Sequence, residues 1–144
     1  MPHNIVFVVS HLGSGSSGLV TILNENPRID ISNKNLSYEH PSVLEYLFSL
    51  GHKLDNTAVI YGDQILFNKD LGCRAFYDFS KFIYVIRPPK FTLNELVYQR
   101  NEYDESTAEN YYAFRLRRMY EMARDTPGAV FLTWDDLRQG RGLN

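Results

Sequence analysis

The fold of this chain is decided by the stretch Ile5-Val6-Phe7-Val8-Val9-Ser10-His11-Leu12-Gly13-Ser14-Gly15-Ser16-Ser17-Gly18. Its first five residues form an apolar, largely β-branched run, which predicts a central parallel strand covered on both faces. The small residues that follow allow a tight turn into a helix. Amide N–H groups at a helix start have no internal partners and, with the helix dipole, attract an anion. The stretch therefore predicts a phosphate-binding loop, formed by Gly13, Ser14, Gly15, Ser16, Ser17 and Gly18.

Two better-known phosphate motifs fit this loop only in part. The three glycines satisfy G-x-G-x-x-G, but the acidic residue expected about 20 positions later is missing, since Asp30 comes too early and 31–38 is not a clear strand. The G-x-x-x-x-G-K-[ST] motif fails because Leu19 stands at the lysine position. A turn of glycine and serine without any ligand also remains open.

Composition limits the classes of protein to which the chain can belong. Its 144 residues predict a single domain, 1–144, and the net charge of −2 argues against nucleic acid or an anionic membrane as a partner. The lone cysteine, Cys73, excludes an internal disulfide and favours a reducing compartment, the cytoplasm. No apolar run approaches a membrane span, and no His/Cys/Asp/Glu spacing is typical of a metal site.

Strand and helix patterns alternate along the chain. We expect strands at 4–9, 57–61, 81–86 and 129–133, and helices at 17–26, from Pro41 onward, at 92–100 and at 106–124. This order predicts a three-layer α/β fold with a mostly parallel central sheet and flanking helices. Arg87 directly follows the strand 81–86. Because the carboxyl ends of parallel strands share one edge, Arg87 is expected to meet an anion held by the loop, although a surface arginine is the alternative.

Three blocks of the sequence resemble sulfotransferases. Residues 10–27 resemble the opening strand, loop and helix of that family, 81–90 its strand ending in Arg-[Asn/Asp]-Pro-[Arg/Lys], and 130–137 its Tyr-Glu-Asp-Leu strand end. The blocks occur in the family's order. The resemblance implies a P-loop NTPase-like, sulfotransferase-like fold that binds 3'-phosphoadenosine 5'-phosphosulfate (PAPS) or adenosine 3',5'-bisphosphate (PAP), without a metal.

The resemblance also implies roles for individual residues. Ser14, Gly15, Ser16 and Ser17 match the loop that holds the 5'-phosphate, and Arg87 matches the arginine that recognises the 3'-phosphate. The implied reaction is transfer of a sulfuryl group to a hydroxyl or amine of a small molecule, sugar or protein. A non-catalytic nucleotide-binding module of the same fold and a Rossmann-type dinucleotide-binding protein are the alternatives.

Several positions depart from the family pattern. Gly13 replaces the lysine or arginine that neutralises the transferred group, Leu12 replaces a proline, and Glu95 replaces a serine that supports the 3'-phosphate. His11 is the leading candidate for a replacement cation, with capping of a turn as the alternative. Glu39 and His40 are candidates for the catalytic base, and Asp63 is a third whose structural interpretation is favoured.

Two side-chain clusters lie in the second half of the chain. Arginines 115, 117, 118 and 124 are interpreted as a solvated helix face with ion pairs, with a surface for acidic substrates as the alternative. Tyrosines 98, 103, 111, 112 and 120 fit either an acceptor platform or ordinary packing. The sequence does not indicate the oligomeric state.

Overall fold

The computed structural model describes residues 4–32, 60–65, 80–126 and 128–138. Within these ranges the chain forms β1 (Asn4–Ser10), α1 (Ser16–Asn24), β2 (Ile29–Ser32), β3 (Ile60–Ile65), β4 (Ser80–Ile86), α2 (Pro89–Asn94), a π-helical turn (Glu95–Gln99), α3 (Glu105–Arg124), β5 (Val130–Thr133) and α4 (Trp134–Arg138). The helix expected from Pro41, the candidates Glu39 and His40, and Cys73 lie outside the described residues.

The five strands form one sheet in the order β2-β3-β1-β4-β5, and all pairs are parallel. β1 therefore lies at the centre, where its apolar run is covered on both faces. The predicted class, an α/β fold with a parallel sheet and flanking helices, is confirmed. The order also makes β1 and β4 direct neighbours, so the loops that follow these two strands leave the same edge of the sheet.

The hydrophobic core has one layer on each face of the sheet. One layer packs under α3 and contains Ile5, Phe7, Val9, Ile65, Phe82, Tyr84, Met119 and Met122. The other packs under α1 and contains Val8, Leu19, Val20, Ile31, Val85 and Leu132. Alternate residues of β1 enter opposite layers, as the pleat of a strand requires. Helices thus cover both faces, which gives the three layers expected from the sequence.

The strand β2 was not predicted. Its four residues are too few to give a clear period-two pattern, and its pairing with β3 comes from tertiary contacts. Asn24, the last residue of α1, stabilises β2 with its side-chain amide: Nδ2 donates to the Ile31 carbonyl and Oδ1 accepts from the Ile31 N–H, each at 2.8 Å. These two bonds satisfy backbone groups of a strand that, within the described ranges, has a neighbouring strand on one side only.

Two other boundaries differ from the prediction in ways that affect function. The described strand β3 covers 60–65, whereas 57–61 was expected, so Asp63 lies within the strand and not after it. The helix expected at 92–100 begins at Pro89, which is pre-organised for the first helical position, and ends in the π-helical turn.

Helix α3 agrees with the predicted 106–124, and Asp104 caps it by accepting from the Thr107 N–H at 2.7 Å.

A glycine inside β3 marks a close approach between β3 and the central strand β1. Gly62 pairs with Val6, and a Cβ on Gly62 would overlap the Val6 carbonyl oxygen. Glycine in a strand is otherwise unfavourable, so this close approach is its physical reason. Among the helices of the described ranges, none has the length and apolarity to cross a membrane.

Candidate functional site

The loop after β1 and the arginine after β4 meet at the carboxyl edge of the sheet. Arg87 Nη1 donates to the Gly13 carbonyl at 3.2 Å, although the two residues are 74 positions apart in sequence. Arg87 therefore lies beside the loop, where the shared carboxyl edge of the strands was expected to bring it. That Arg87 meets an anion held by the loop stays a prediction. Between them lies a cavity of about 240 Å³, lined by His11, Leu12, Gly13, Ser14, Gly15, Ser16, Ser17, Gln64, Arg87, Glu95, Arg100 and Trp134.

The loop backbone has the conformation that its glycines permit. Gly13 and Gly15 have φ of 78° and 86°, in the left-handed region that favours glycine, and Gly15 is the N-cap of α1. No side chain caps this helix, and within the described part of the chain the N–H groups of Gly13, Gly15 and Ser17 have no hydrogen-bond partner. These amides remain available to an anion at the helix start.

Three serine hydroxyls and the Gln64 amide form a connected polar group at the loop, and all of its members except the exposed Ser17 are buried. Ser16 Oγ accepts from Ser10 Oγ at 2.7 Å and also from Gln64 Nε2, which in addition donates to Ser17 Oγ at 3.3 Å. Because both lone pairs of the Ser16 hydroxyl are used in this way, its own proton is the group that it can offer to a ligand. Ser14 differs, since its hydroxyl accepts from the Ser16 N–H at 3.3 Å and stabilises the turn itself.

The sequence analysis did not identify Gln64. It occupies the second-to-last position of β3, opposite Val8 of β1, which brings its side chain to the serines of the loop. The missed signal was the strand boundary: with β3 at 60–65, Gln64 falls at the carboxyl edge where ligands of such sheets bind. In the described ranges no group of three or more His, Cys, Asp or Glu side chains could hold a metal ion.

The Arg87 side chain is largely buried and tightly surrounded. It is 14% exposed, its Nη1 donates to Glu95 Oε1 at 3.2 Å, and its Cζ lies 4.5 Å from the centroid of the Trp134 ring. Its Nε is buried and has no hydrogen-bond partner in the described structure. The guanidinium is thus held in place by an aromatic face and a carboxylate while one buried N–H remains for a ligand.

Trp134 also closes one side of the loop. A Cβ on Gly15 would come within 2.6 Å of Trp134 Cδ1, so glycine is required there by space as well as by φ. Trp134 is the first residue of α4 and was quoted in the sequence analysis only as part of the block 130–137. Its position against the loop depends on β5 lying beside β4, which no local pattern reveals.

Glu95 points into the site. Its Oε1 contacts Arg87, and its Oε2 lies 3.0 Å from Arg100 Nη2. The carboxylate that stands at the family's serine position therefore faces the cavity, and its charge is paired with two arginines. Arg100, which the sequence analysis did not identify, joins the cavity through Glu95.

His11 is buried and is held as a neutral imidazole. Its Nδ1 lies 2.9 Å from the Leu12 carbonyl, which only accepts, and its Nε2 lies 3.0 Å from the Arg87 N–H, which only donates. One nitrogen must therefore carry the proton and the other must not. Desolvation is the largest cause that lowers the pKa of His11, and the charges of Arg115 and Arg87 lower it further, against a smaller raising effect of the Leu12 hydrogen bond. This geometry opposes the predicted role of replacement cation, and His11 instead joins the loop to the backbone at Arg87.

We expect His11 to make the protein less stable in mild acid. Because its pKa in the folded state lies below the unfolded value of 6.5, the unfolded chain binds the proton more readily. The free energy of unfolding should therefore fall as the pH decreases from about 6.5 toward the folded pKa, by at most about 1.4 kcal/mol per pH unit. Urea unfolding of the wild type and of His11→Gln between pH 4.5 and 8 measures this effect, since glutamine keeps an acceptor but does not titrate. Parallel pH profiles for the two proteins would contradict the assignment.

Helix α3 supports the loop from behind with three side chains. Tyr111 Oη accepts from the Leu12 N–H at 2.8 Å, Tyr112 Oη donates to the Arg87 carbonyl at 2.8 Å, and Arg115 Nε donates to the Ser10 carbonyl at 2.8 Å. These two tyrosines therefore have a packing and positioning role, one of the two interpretations left open by the sequence.

The prediction that Arg115 lies on a solvated helix face is wrong. Its side chain is fully buried, with 0% exposure, and its Nη2 donates to the Ile65 carbonyl at 3.0 Å. Arg115 lies on the buried side of α3 together with Tyr112 and Met119, which are three positions before it and four positions after it. Arg117 is exposed, and Arg118 pairs with Glu121 at 3.6 Å, as the solvated face predicted.

Asp63 is the one candidate base that falls within the described residues, and it does not lie in the site. Asp63 is fully buried within β3, its Oδ1 accepts from the Gln64 N–H at 2.8 Å, and it does not line the cavity. This agrees with the structural interpretation favoured for it. Glu39 and His40 lie outside the described residues, so their role stays a prediction.

Comparison with known proteins identifies the fold and no family. No protein-family model and no curated protein matches the sequence. The structure is similar to shikimate kinase from Bacteroides thetaiotaomicron, with a TM-score of 0.55 and 9% identity over 91% of this chain and 87% of that chain. It is also similar to an uncharacterised protein from Eubacterium ventriosum, with a TM-score of 0.52 and 14% identity over 96% of this chain and 95% of that one.

A third similar structure carries a nucleotide. Retinol dehydratase in complex with androsterone and the inactive cofactor PAP has a TM-score of 0.51 and 14% identity. The match covers 96% of this chain but 57% of that chain, so this chain spans little more than half of that protein. Sequence identities this low establish a shared fold and nothing more. The fold that these similarities support is the predicted one, an α/β fold of the P-loop and sulfotransferase type.

Proposed function

We propose that the protein binds an adenosine nucleotide of the 3',5'-bisphosphate class, PAPS or PAP, in the cavity at the carboxyl edge of its sheet. The observation that carries the proposal is the 3.2 Å contact between Arg87 Nη1 and the Gly13 carbonyl, which joins a guanidinium to an amide-rich loop across two strands. The PAP complex of a similar fold supports the choice of nucleotide.

The donor set of the cavity fits a ligand with two phosphates. The N–H groups of Gly15 and Ser17 and the Ser16 hydroxyl suit a 5'-phosphate at the start of α1, and we assign Ser14 the role of shaping this turn. The buried Nε of Arg87 is an unpaired donor that an incoming 3'-phosphate would satisfy. No metal ligand is part of this assignment.

We extend the proposal to transfer of a sulfuryl group to a hydroxyl or amine of a small molecule, sugar or protein. PAPS, when bound, supplies the activated sulfuryl group, and the chain holds it and orients it. Glu39 or His40 is the proposed base. Turnover should be slow, because Gly13 provides no cation at the loop and losing one such stabilising group costs on the order of 100-fold to 1,000-fold.

Binding without catalysis is the second candidate function. The observations that favour it are Gly13 in place of the loop cation and the neutral state that its hydrogen bonds impose on His11. A Rossmann-type dinucleotide protein has less support, since in the sequence Asp30 follows the loop too early and 31–38 is not a clear strand that ends in an acidic residue. For either candidate the cytoplasm stays the predicted compartment, because of the single cysteine.

A thermal-shift series separates these possibilities. PAP is expected to raise the melting temperature, while NAD, ATP and GTP leave it nearly unchanged, because a ligand that binds only the folded state stabilises it. At 100 times its dissociation constant, PAP should add about 2.7 kcal/mol. Transfer of labelled sulfate from PAPS to an acceptor panel then distinguishes an enzyme from a binding module. A larger shift with NAD than with PAP would contradict the proposed nucleotide class.

A further inference from the structure

Three charged side chains line the cavity, and the single carboxylate among them pairs with both guanidinium groups. Glu95 lies between Arg87 and Arg100, at 3.2 Å and 3.0 Å from their Nη atoms. His11, the remaining titratable side chain of the lining, is neutral. The described cavity therefore carries a net charge of about +1, although it holds two guanidinium groups that could bind an anion together.

The π-helical turn produces this arrangement. The Arg100 N–H donates to the Glu95 carbonyl at 2.8 Å, a bond between residues five apart, and the turn brings both side chains to the cavity. Short π-helical segments inside helices occur frequently at functional sites. Thr92, one turn earlier, fixes the start of this segment by donating from Oγ1 to the Arg87 carbonyl at 3.3 Å.

The pair with Arg100 is looser than the pair with Arg87. Arg87 Nη1 forms a hydrogen bond to Glu95 Oε1, whereas Glu95 Oε2 is a buried atom without a hydrogen-bond partner in the described structure, despite its 3.0 Å ion pair with Arg100. Arg100 is 43% exposed and Glu95 is 23% exposed. Because the ion pair between Glu95 and Arg100 includes no hydrogen bond and Arg100 is partly exposed to solvent, an anion of higher charge can replace the carboxylate at low cost.

Glu95 and Gly13, the two main departures from the sulfotransferase pattern, are in contact. A Cβ on Gly13 would lie 3.0 Å from Glu95 Oε2, tighter than most real contacts. A side chain at position 13 would therefore require the Glu95 carboxylate to shift by a few tenths of an ångström. The absence of a loop cation and the presence of Glu95 belong to one local arrangement, in which a carboxylate occupies space beside the anion-binding loop.

We propose that Arg87 and Arg100 form a two-guanidinium subsite for an anion and that Glu95 is its internal counterion, displaced when a phosphate binds. A phosphate dianion offers more charge and more acceptor oxygens than the carboxylate, and it can also satisfy the buried Arg87 Nε. A ligand with only a hydroxyl at this point cannot replace the carboxylate. Glu95 thus makes the site selective for a phosphorylated group, and naming that group as a 3'-phosphate rests on the proposed function.

The test compares Glu95→Gln and Glu95→Ser with the wild type by isothermal titration calorimetry. PAP should bind about tenfold more tightly to both variants, the factor expected when one charge-assisted hydrogen bond no longer has to be broken. The affinity for 5'-AMP, which lacks the 3'-phosphate, should change less than about threefold. Glu102→Gln, an exposed carboxylate in the same segment, is the matched control and should change neither affinity.

Arg100→Gln examines the second guanidinium. It should weaken PAP binding in the wild type and reduce the gain in Glu95→Gln, because Arg100 is one of the two guanidinium groups that removal of the carboxylate releases. Arg117→Gln, an exposed arginine on α3, is its control. The NMR signals of the arginine Nε–H groups, titrated with inorganic phosphate, report directly whether the anion reaches Arg87.

The outcomes separate this inference from the proposed function. If the wild type binds PAP but neither Glu95 variant alters its affinity, or both weaken it, the counterion role is wrong and nucleotide binding stands. If no nucleotide binds, while inorganic phosphate binds Glu95→Gln more tightly than the wild type and only when Arg100 is present, the two-guanidinium subsite stands and the nucleotide assignment fails.

Discussion

Replacement of Arg115 by methionine is expected to lower the free energy of unfolding by about 3 kcal/mol or more. Arg115 is fully buried, and it donates to the carbonyls of Ser10 and Ile65 at 2.8 Å and 3.0 Å. These carbonyls lie at the ends of β1 and β3, where the ladder of strand hydrogen bonds stops. Methionine has a similar length but no donor, so it would leave buried acceptors without these partners, each at a cost of about 1–3 kcal/mol.

Urea unfolding at pH 7.5 measures the effect, with Arg117→Met as the matched control. Arg117 lies two positions away on α3 and is exposed, so its replacement should change the free energy of unfolding by less than about 0.5 kcal/mol. Equal stabilities for the two variants would mean that Arg115 does not join the strand ends. Because Ser10 immediately precedes the loop, we also expect Arg115→Met to weaken nucleotide binding.

Replacement of Arg87 by alanine is expected to weaken the binding of PAP by about 10-fold to 100-fold. Hydrogen bonds to a charged group contribute about 1.5–3 kcal/mol each, and the Arg87 guanidinium is already positioned by Trp134 and Glu95 before a ligand arrives. Arg87→Lys keeps the charge but loses the planar fork, so its affinity should lie between those of alanine and the wild type.

Calorimetric titration with PAP and with 5'-AMP distinguishes a direct role of Arg87 from a structural one. A contact with the 3'-phosphate predicts that PAP loses its advantage over 5'-AMP in Arg87→Ala, whereas general damage to the loop would weaken both nucleotides alike. Thermal unfolding without ligand provides the control for folding. An unchanged affinity for PAP would show that the second sulfotransferase-like block has been assigned the wrong role.

The loop and Arg87 could be located from the sequence because their signals are local. An apolar run, a cluster of small residues and a following helix need only neighbouring positions, and an arginine directly after a strand is visible in the same way. The rule that parallel strands share their carboxyl edge then brought the two together.

Local signals could not locate Gln64, Arg100 and Arg115. Gln64 contacts Ser16, which is 48 positions away in sequence, and Arg115 contacts Ser10, which is 105 positions away. Arg100 contacts Glu95, five positions away, across the π-helical turn. Gln64 becomes a loop residue only through the pairing of β3 with β1, and Arg100 only through the π-helical turn. Arg115 looks like any helical arginine. Burial of a charge is decided by what packs against it, here the ends of two strands.

The amino-acid order alone determined that a central strand leads into a tight turn of glycines and serines at a helix start, since strand and turn propensities act between adjacent residues. The tertiary structure decided the charge state of the site. It buried His11 between an acceptor and a donor so that the ring is neutral, and it set Glu95 against two arginines. Protonation and ion pairing depend on distance and desolvation in three dimensions, and these exist only after the strands and helices have packed.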